Sequence, residues 1–211
     1  MNSDTRNRIL MTAMELFWEK GYHSTSVADI LGRSQVHSGS LYHFFPGKQD
    51  VLVGVLEFYR DGIREQLLAP VWTGVDDPVE RIFALLGGYR AHLVLTDCTY
   101  GCPIGSLALE IHEPDPKVRD LLAANFTNWS LAIEECLDAA QDRLGADLDR
   151  RALAEFVLTV MEGAIMQART YRDLGYFDRN VAVLRSHFAM LERNRAGSSV
   201  RGESEDKRTW N

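Results

Sequence analysis

The sequence predicts an all-α protein, with a three-helix N-terminal unit ahead of a larger helical body. Apolar residues recur at helical spacing through most of the 211 residues, and no strand-like alternation competes with them. Most glycines and prolines fall at the ends of these periodic stretches, where helices stop and start. Hydrophobic residues make up 45% of the chain and charged ones 25%, enough for a sizeable core.

The first helix is expected from about Asp4 to Lys20. Ile9, Ala13, Leu16 and Phe17 form its apolar face, and Gly21 offers a left-handed stop. A second starts at Ser26, whose hydroxyl can cap it, and Asp29 completes the S-x-x-D capping pattern. Val27, Ile30 and Leu31 face inward, and Gly32 to Gln35 turn the chain. A third helix spans about His37 to Phe44, with Val36, Leu41 and Phe45 directed into a small core and Pro46 and Gly47 ending it. A fourth is expected over 48–68 before Pro70 and TGVDDP break the chain. Five more follow at 78–96, 103–112, 117–144, 148–174 and 178–193, with Asp97–Gly105 as a loop. The last stretch, 196–211, is polar, rich in glycine and serine and without periodicity, so a mobile tail is expected there. The chain thus divides into 1–47, 48–195 and 196–211.

Two short helices joined by a tight turn match the helix-turn-helix arrangement, whose second helix enters the DNA major groove. His37, Ser38, Gly39, Ser40, Tyr42 and His43 are left outward on that helix. Gly39 allows close backbone approach, and Ser38, Ser40 and His43 can hydrogen-bond base edges or phosphates. Tyr42 can lay its ring on a thymine methyl or give its hydroxyl to a phosphate. Ser26 at its helix start and Lys48 suit phosphate clamps. Each residue taken alone fits an ordinary polar surface; the ordered set favours DNA.

Gly21-Tyr22, Thr25-Ser26-Val27, Ile30, Val36, Gly39-Ser40-Leu41-Tyr42, Phe45 and Lys48 resemble, as a set, the DNA-binding domain of the tetracycline-repressor (TetR) family. The resemblance covers about the first fifty residues. It implies a homodimeric regulator of transcription, probed by a double-stranded DNA operator at the head and a small-molecule effector in the body. By the same match Ser26, Tyr42 and Lys48 take phosphate contacts and the Val36–His43 helix reads bases. Three positions depart from the family pattern. Gln35 replaces a turn glycine and is expected to take a positive φ. His37 replaces a Ser/Thr cap, so that cap is weaker or is supplied by Ser34 or Ser38. Phe44 replaces a polar residue and loses a phosphate contact.

Charge is consistent with a local DNA contact. Residues 1–50 hold Arg6, Arg8, Lys20, Arg33 and Lys48 against Asp4, Glu15, Glu19, Asp29 and Asp50, so the remainder carries the whole net charge of −7. A neutral head on an acidic body does not suit a non-specific nucleic-acid coat. No apolar run approaches the ~20 residues of a membrane span, and MNSDTRNRIL lacks a signal-peptide pattern, so a cytoplasmic protein without a membrane partner is expected.

In the body, the last two helices are apolar on more than one face, through Leu153, Phe156, Val157, Val160, Met161, Ala164, Ile165 and Ala168, then Val181, Val183, Leu184, Phe188 and Leu191. Part of this set is core; the rest is expected to form an isologous four-helix contact between two chains. His92, Leu93, Cys102, Leu107, Phe126, Trp129, Met161, Glu162 and Ile165 are candidates to line an effector cavity, though a plain packed core accounts for the same residues. Cys102, just before Pro103 at a helix start, is either a small buried residue or a thiolate favoured by the helix dipole, as in an electrophile sensor. The spacing of His92, Cys98, Cys102 and His112 is poor for a metal. No P-loop, dinucleotide glycine pattern, catalytic triad order or paired-histidine motif is present, so neither catalysis nor a cofactor is expected. A helical interaction protein that keeps the head only as a fold is the remaining alternative.

Overall fold

The computed structural model describes the backbone of residues 2–145 and 147–206 and the side chains of residues 4–145 and 147–194. Among the described residues every regular element is helical.

The head consists of α1 (Asn2–Lys20), α2 (Val27–Ser34) and α3 (Ser38–Phe44). Ile9, Leu10, Ala13, Leu16 and Phe17 of α1 close on Ile30, Val36, Leu41 and Phe45, all buried. Gly21 ends α1 with φ +86°, as its position predicts. Ser26 and Asp29 form the full reciprocal capping box at the start of α2.

α4 (Lys48–Gly62) leaves the head and enters the body. It approaches α1 at Gly54, where a Cβ would lie 2.8 Å from Leu10 Cδ2 and 3.1 Å from Phe45 Cε1. The helix then widens into a π-helical turn, Ile63–Leu68, and continues as α5 (Ala69–Trp72) through Pro70. The sequence had suggested a break at Pro70. The wide turn shifts the hydrogen-bond register, with Ala69 N–H donating to the Arg64 carbonyl, so Pro70 falls in the first turn of α5.

The body is completed by α6 (Pro78–Leu95), α7 (Pro103–Glu110), α8 (Pro116–Ala139), α9 (Gln141–Leu144), α10 (Arg150–Tyr171) and α11 (Gly175–Asp206). Asp77, Asp115 and Asp149 cap α6, α8 and α10 through their carboxylates. α8 lies at the centre, against α4, α6 and α10, and α11 packs on α10. Several expected boundaries move. The helix foreseen over 117–144 breaks at Ala140 into α8 and α9. α10 stops before Gly175 because Arg172 takes the left-handed conformation, φ 52°, and Asp173 N–H turns back to the Ala168 carbonyl. The last helix runs on to Asp206, so the described part of the expected tail is helical; Lys207–Asn211 lie outside the described residues. Lengthening an existing helix avoids the cost of nucleation, so it needs no apolar periodicity.

Candidate nucleic-acid interface and effector cavities

Leu41 is fully buried and anchors α3 to α1, which leaves the opposite face outward. Tyr42 is 53% exposed, and His37, Ser38, Gly39 and His43 are exposed with it, while Ser40 is half-buried. Among the described residues, nothing lies within 4 Å of a Cβ placed on Gly39. Gln35 takes φ 53° and ψ 37°, as foreseen from the missing glycine. His37 starts α3 without any side-chain cap, and Ser34 does not supply one, since its hydroxyl is directed to the Leu31 carbonyl. Phe44 is half-buried against the head core, with His43 and Phe45 rings 5.0 and 6.4 Å away, which accounts for an apolar residue there.

Lys48 departs from a free phosphate clamp. Its Nζ donates to the Tyr22 and Thr25 carbonyls, both at 2.9 Å, and lies 4.3 Å from the Tyr22 ring centroid. Those carbonyls belong to the loop before α2, so Lys48 first of all fastens that loop to α4. One ammonium hydrogen remains for an external acceptor. Ser26 is similarly engaged: its hydroxyl donates to Asp29 Oδ2 at 2.6 Å and accepts from Asp29 N.

The nine candidate effector residues do not form one site. His92 and Trp129 line a cavity of about 370 Å³ among α4, the π-helical turn, α6, α7 and α8. Cys102, Phe126, Glu162 and Ile165 line a larger groove of about 850 Å³ beside α7 and α10. Leu93, Leu107 and Met161 line neither; all three are buried core residues. A single step along a helix turns the side chain by about 100°, so Leu93 and Met161 face away from the sites their neighbours reach.

Composition and spacing did not reveal the other walls of the smaller cavity. Tyr59, Ile63, Gln66, Tyr89 and Asn125 contribute, as does Trp18 of the head. The π-helical turn supplies Ile63 and Gln66; such turns recur at functional sites, and Gly62 followed by Pro70 was its one trace in the sequence. Trp18 Nε1 donates to the Gly101 carbonyl at 2.7 Å, and its ring centroid lies 4.6 Å from both His92 and Tyr100. A second bridge joins head and body at Glu110, whose carboxylate accepts from Tyr22 N at 2.8 Å and His23 N at 2.7 Å. Gly21 allows this, since a Cβ there would come within 2.9 Å of both carboxylate oxygens.

Burial weighs against the thiolate reading of Cys102. The residue caps α7, its Sγ accepting from Gly105 N at 3.4 Å, but burial first and the neighbouring Glu162 second push its thiol well above the usual range. Loss of solvation outweighs the helix dipole, so the group stays protonated and poorly nucleophilic. Cys98 and Cys136 are also buried free thiols, the latter pushed up to about 11 by burial. Among the described residues, no three His, Cys, Asp or Glu side chains are grouped to hold a metal ion, and no helix is long and apolar enough to cross a membrane.

Comparison with known proteins bears on this arrangement. Residues 9–55 match the family model described as bacterial regulatory proteins, tetR family, and residues 78–184 match the tetracyclin repressor-like C-terminal domain. An uncharacterized HTH-type transcriptional regulator of Mycobacterium tuberculosis is 30% identical over 178 residues, covering 82% of this chain and 88% of the relative. The HTH-type transcriptional repressor DhaR of Mycobacterium sp. (strain GP1) is 25% identical over 181 residues, covering 85% and 89%. Among solved structures, the regulatory protein TetR from Rhodobacter sphaeroides superposes with a TM-score of 0.78 at 26% identity, over 86% of this chain and 97% of that one. Head and body each match on their own, and whole-length relatives join them in the same order: the chain belongs to the TetR family of DNA-binding transcriptional regulators.

Proposed function

We propose that this regulator is a homodimeric repressor that leaves a near-palindromic operator when a small hydrophobic or aromatic effector binds its body. Residues 1–47 would bind DNA, and residues 48–195 would hold the effector and form the dimer. The observation that carries the DNA reading is the outer face of α3, where Tyr42 stands exposed beside Ser38, Gly39 and His43. Glycine inside a helix costs roughly 1 kcal/mol relative to alanine, and no neighbour in the fold requires it at position 39. A backbone lying close against a groove edge accounts for it. His37, Ser38, Ser40 and His43 would meet base edges, with Tyr42, Ser26 and the remaining hydrogen of Lys48 on phosphates. Repression is supported by DhaR, a relative named as a repressor.

An effector can shift the equilibrium only by binding one head arrangement better than another. The Trp18–Gly101 and Glu110–Tyr22/His23 contacts, together with α4, give the body three holds on each head. Binding to DNA flanking the protein's own gene, followed by fluorescence anisotropy, tests the reading. A near-palindromic segment should bind far more tightly than a scrambled duplex at physiological salt, and equal binding to both would sink it. Tyr42→Ala should lower operator affinity at least about tenfold, on the scale of one or two lost contacts, with the melting temperature unchanged. Lys48 is a poor choice for this test, because its removal also frees the loop before α2.

A further inference from the structure

Residues 1–50 carry five Lys and Arg side chains, and the fold commits three of them. Lys20 Nζ lies 3.6 Å from Asp29 Oδ1, and Arg33 Nη1 lies 2.7 Å from Glu19 Oε2. Lys48 holds the Tyr22 and Thr25 carbonyls and keeps a single hydrogen for anything else. Arg6 and Arg8 remain. Among the described residues neither forms an ion pair or a hydrogen bond. A surface that meets a polyanion needs cations that its own chain has not already neutralised.

The two differ in direction. They are two residues apart on α1, so their side chains diverge by about 200°. Arg8 shares its side of the helix with Asp4, Glu15 and Glu19, and Glu19 is held by Arg33 of α2. Arg6 lies on the side of Ile9, Leu10 and Ala13, all buried, and its guanidinium carbon sits 5.4 Å from the centroid of the Phe45 ring. Phe45 caps α3, its N–H donating to the Leu41 carbonyl at 2.8 Å. The cation therefore stands at the C-terminal end of α3, within about one helical turn of Tyr42 and His43. A guanidinium over an aromatic ring is held in place while its N–H donors stay available to an acceptor. Phe44 offers no polar group at this end of α3, so a charge there comes from α1.

We propose that Arg6 takes a phosphate of the operator backbone beside the C-terminal end of α3, which makes α1 part of the DNA-binding surface and leaves Arg8 outside it. This rests on the operator reading and adds to it a residue and a helix. The contact positions the head without reading sequence, since every nucleotide presents the same phosphate. A planar guanidinium fork suits a phosphate through two parallel hydrogen bonds, which an ammonium does not offer.

Fluorescence anisotropy of the full-length protein tests this on two probes, the near-palindromic segment from DNA flanking its own gene and a scrambled duplex of equal length. Arg6→Gln should weaken both by the same factor, about tenfold or more. It should also lower the slope of log affinity against log salt by about one for each head on the DNA. Arg8→Gln removes the same charge and should change neither quantity. A folded Arg6→Gln variant with the wild-type slope would overturn the proposal even if its melting temperature fell, because Arg6 would then only brace Phe45. So would equal losses in the two variants, which mark a diffuse field, or a loss confined to the near-palindrome, which marks base reading. If Arg6→Gln does not fold, the wild type decides through phenylglyoxal modification read by peptide mass spectrometry. Duplex should protect Arg6 and leave Arg8 reactive; equal labelling of Arg6 with and without DNA refutes the contact. Equal wild-type binding of both probes sinks the operator reading and leaves the Arg6 contact to stand or fall on the slope. A wild type that binds neither duplex refutes both, whereas tight binding that Arg6→Gln leaves intact refutes the contact alone.

Discussion

Glu162, on α10, faces α7 where Gly105 leaves room for its carboxylate, and its Oε1 is buried with no hydrogen-bond partner. Burial raises its pKa, with the Cys102 thiol opposing that only in part. The sign of the resulting pH dependence is therefore fixed. Below the ordinary glutamate range both folded and unfolded chains hold the proton, and stability does not change with pH on this account. As pH rises through that range the unfolded chain ionises first, so stability falls until the folded-state pKa is passed. Glu162→Gln removes this penalty. Its melting temperature should equal that of the wild type near pH 4 and exceed it by pH 8, measured by circular dichroism; a gap that shrinks with rising pH would contradict the burial account. At Gln35 the same scale gives a second prediction. A non-glycine residue in the left-handed region costs about 1–2 kcal/mol, part of which glycine returns through a freer unfolded chain. Gln35→Gly should raise the melting temperature by about 2 °C. That strain was legible through the family resemblance, because Gln35 stands where the family pattern has a turn glycine. The pairing of Glu162 with Gly105 was not, since it joins residues far apart in the chain.

Helices are where sequence reading succeeds most fully here, and its misses have common causes. The capping box at Ser26, the left-handed Gly21 and the proline starts of α6 and α7 are local chemistry, complete within a few residues. The π-helical turn is a matter of hydrogen-bond register, which periodicity of apolar residues does not report. The bridges from α7 to the head are tertiary: Glu110 reaches Tyr22 and His23 across 88 and 87 residues of sequence. α7 thus has one end at the cavities, through Cys102 and Ile104, and the other on the loop before α2. Glu110→Ala should release that loop. Two charge-assisted hydrogen bonds at a partly exposed site are together worth about 1–2 kcal/mol. Amide exchange at Tyr22 and His23 should accordingly quicken about tenfold or more, while α8 and α10 amides keep their protection. Uniform quickening across the molecule would instead mean that Glu110 serves global stability and not the joint between head and body.

At the scale of the molecule, α10 and α11 present apolar side chains that the described residues do not cover. Phe156 and Met166 on α10 are 49% and 52% exposed, and Val183 and Met190 on α11 are 71% and 45% exposed. Val183 and Met190 are seven residues apart and so share a face. Gly163, between the two α10 residues, has none of the described residues within 4 Å of a Cβ position. The sequence marked both helices as apolar on more than one side but could not divide the two sides; Leu153, Val157, Met161 and Ile165 go to the core, while Phe156 goes outward. A second copy related by a two-fold axis would cover this stripe as a four-helix contact and set two α3 helices toward successive major grooves, about 34–36 Å apart. In such a dimer, replacing Phe156 and Val183 together by Glu would put charges into the contact. Sedimentation should then show a single chain where the wild type sediments as two, with the helical circular dichroism spectrum retained. With one head of such a dimer bound, its partner would meet the second half-site at an effective concentration in the millimolar range, so losing the linkage should cost operator affinity about 10²-fold or more. The loss should be confined to whole operators, because an isolated half-site needs one head, and Phe156 and Val183 lie on the body helices, away from α3. A double variant that stays dimeric, or one that becomes a single chain and still holds the full operator at wild-type strength, would show that the α10–α11 face is not what joins the two heads.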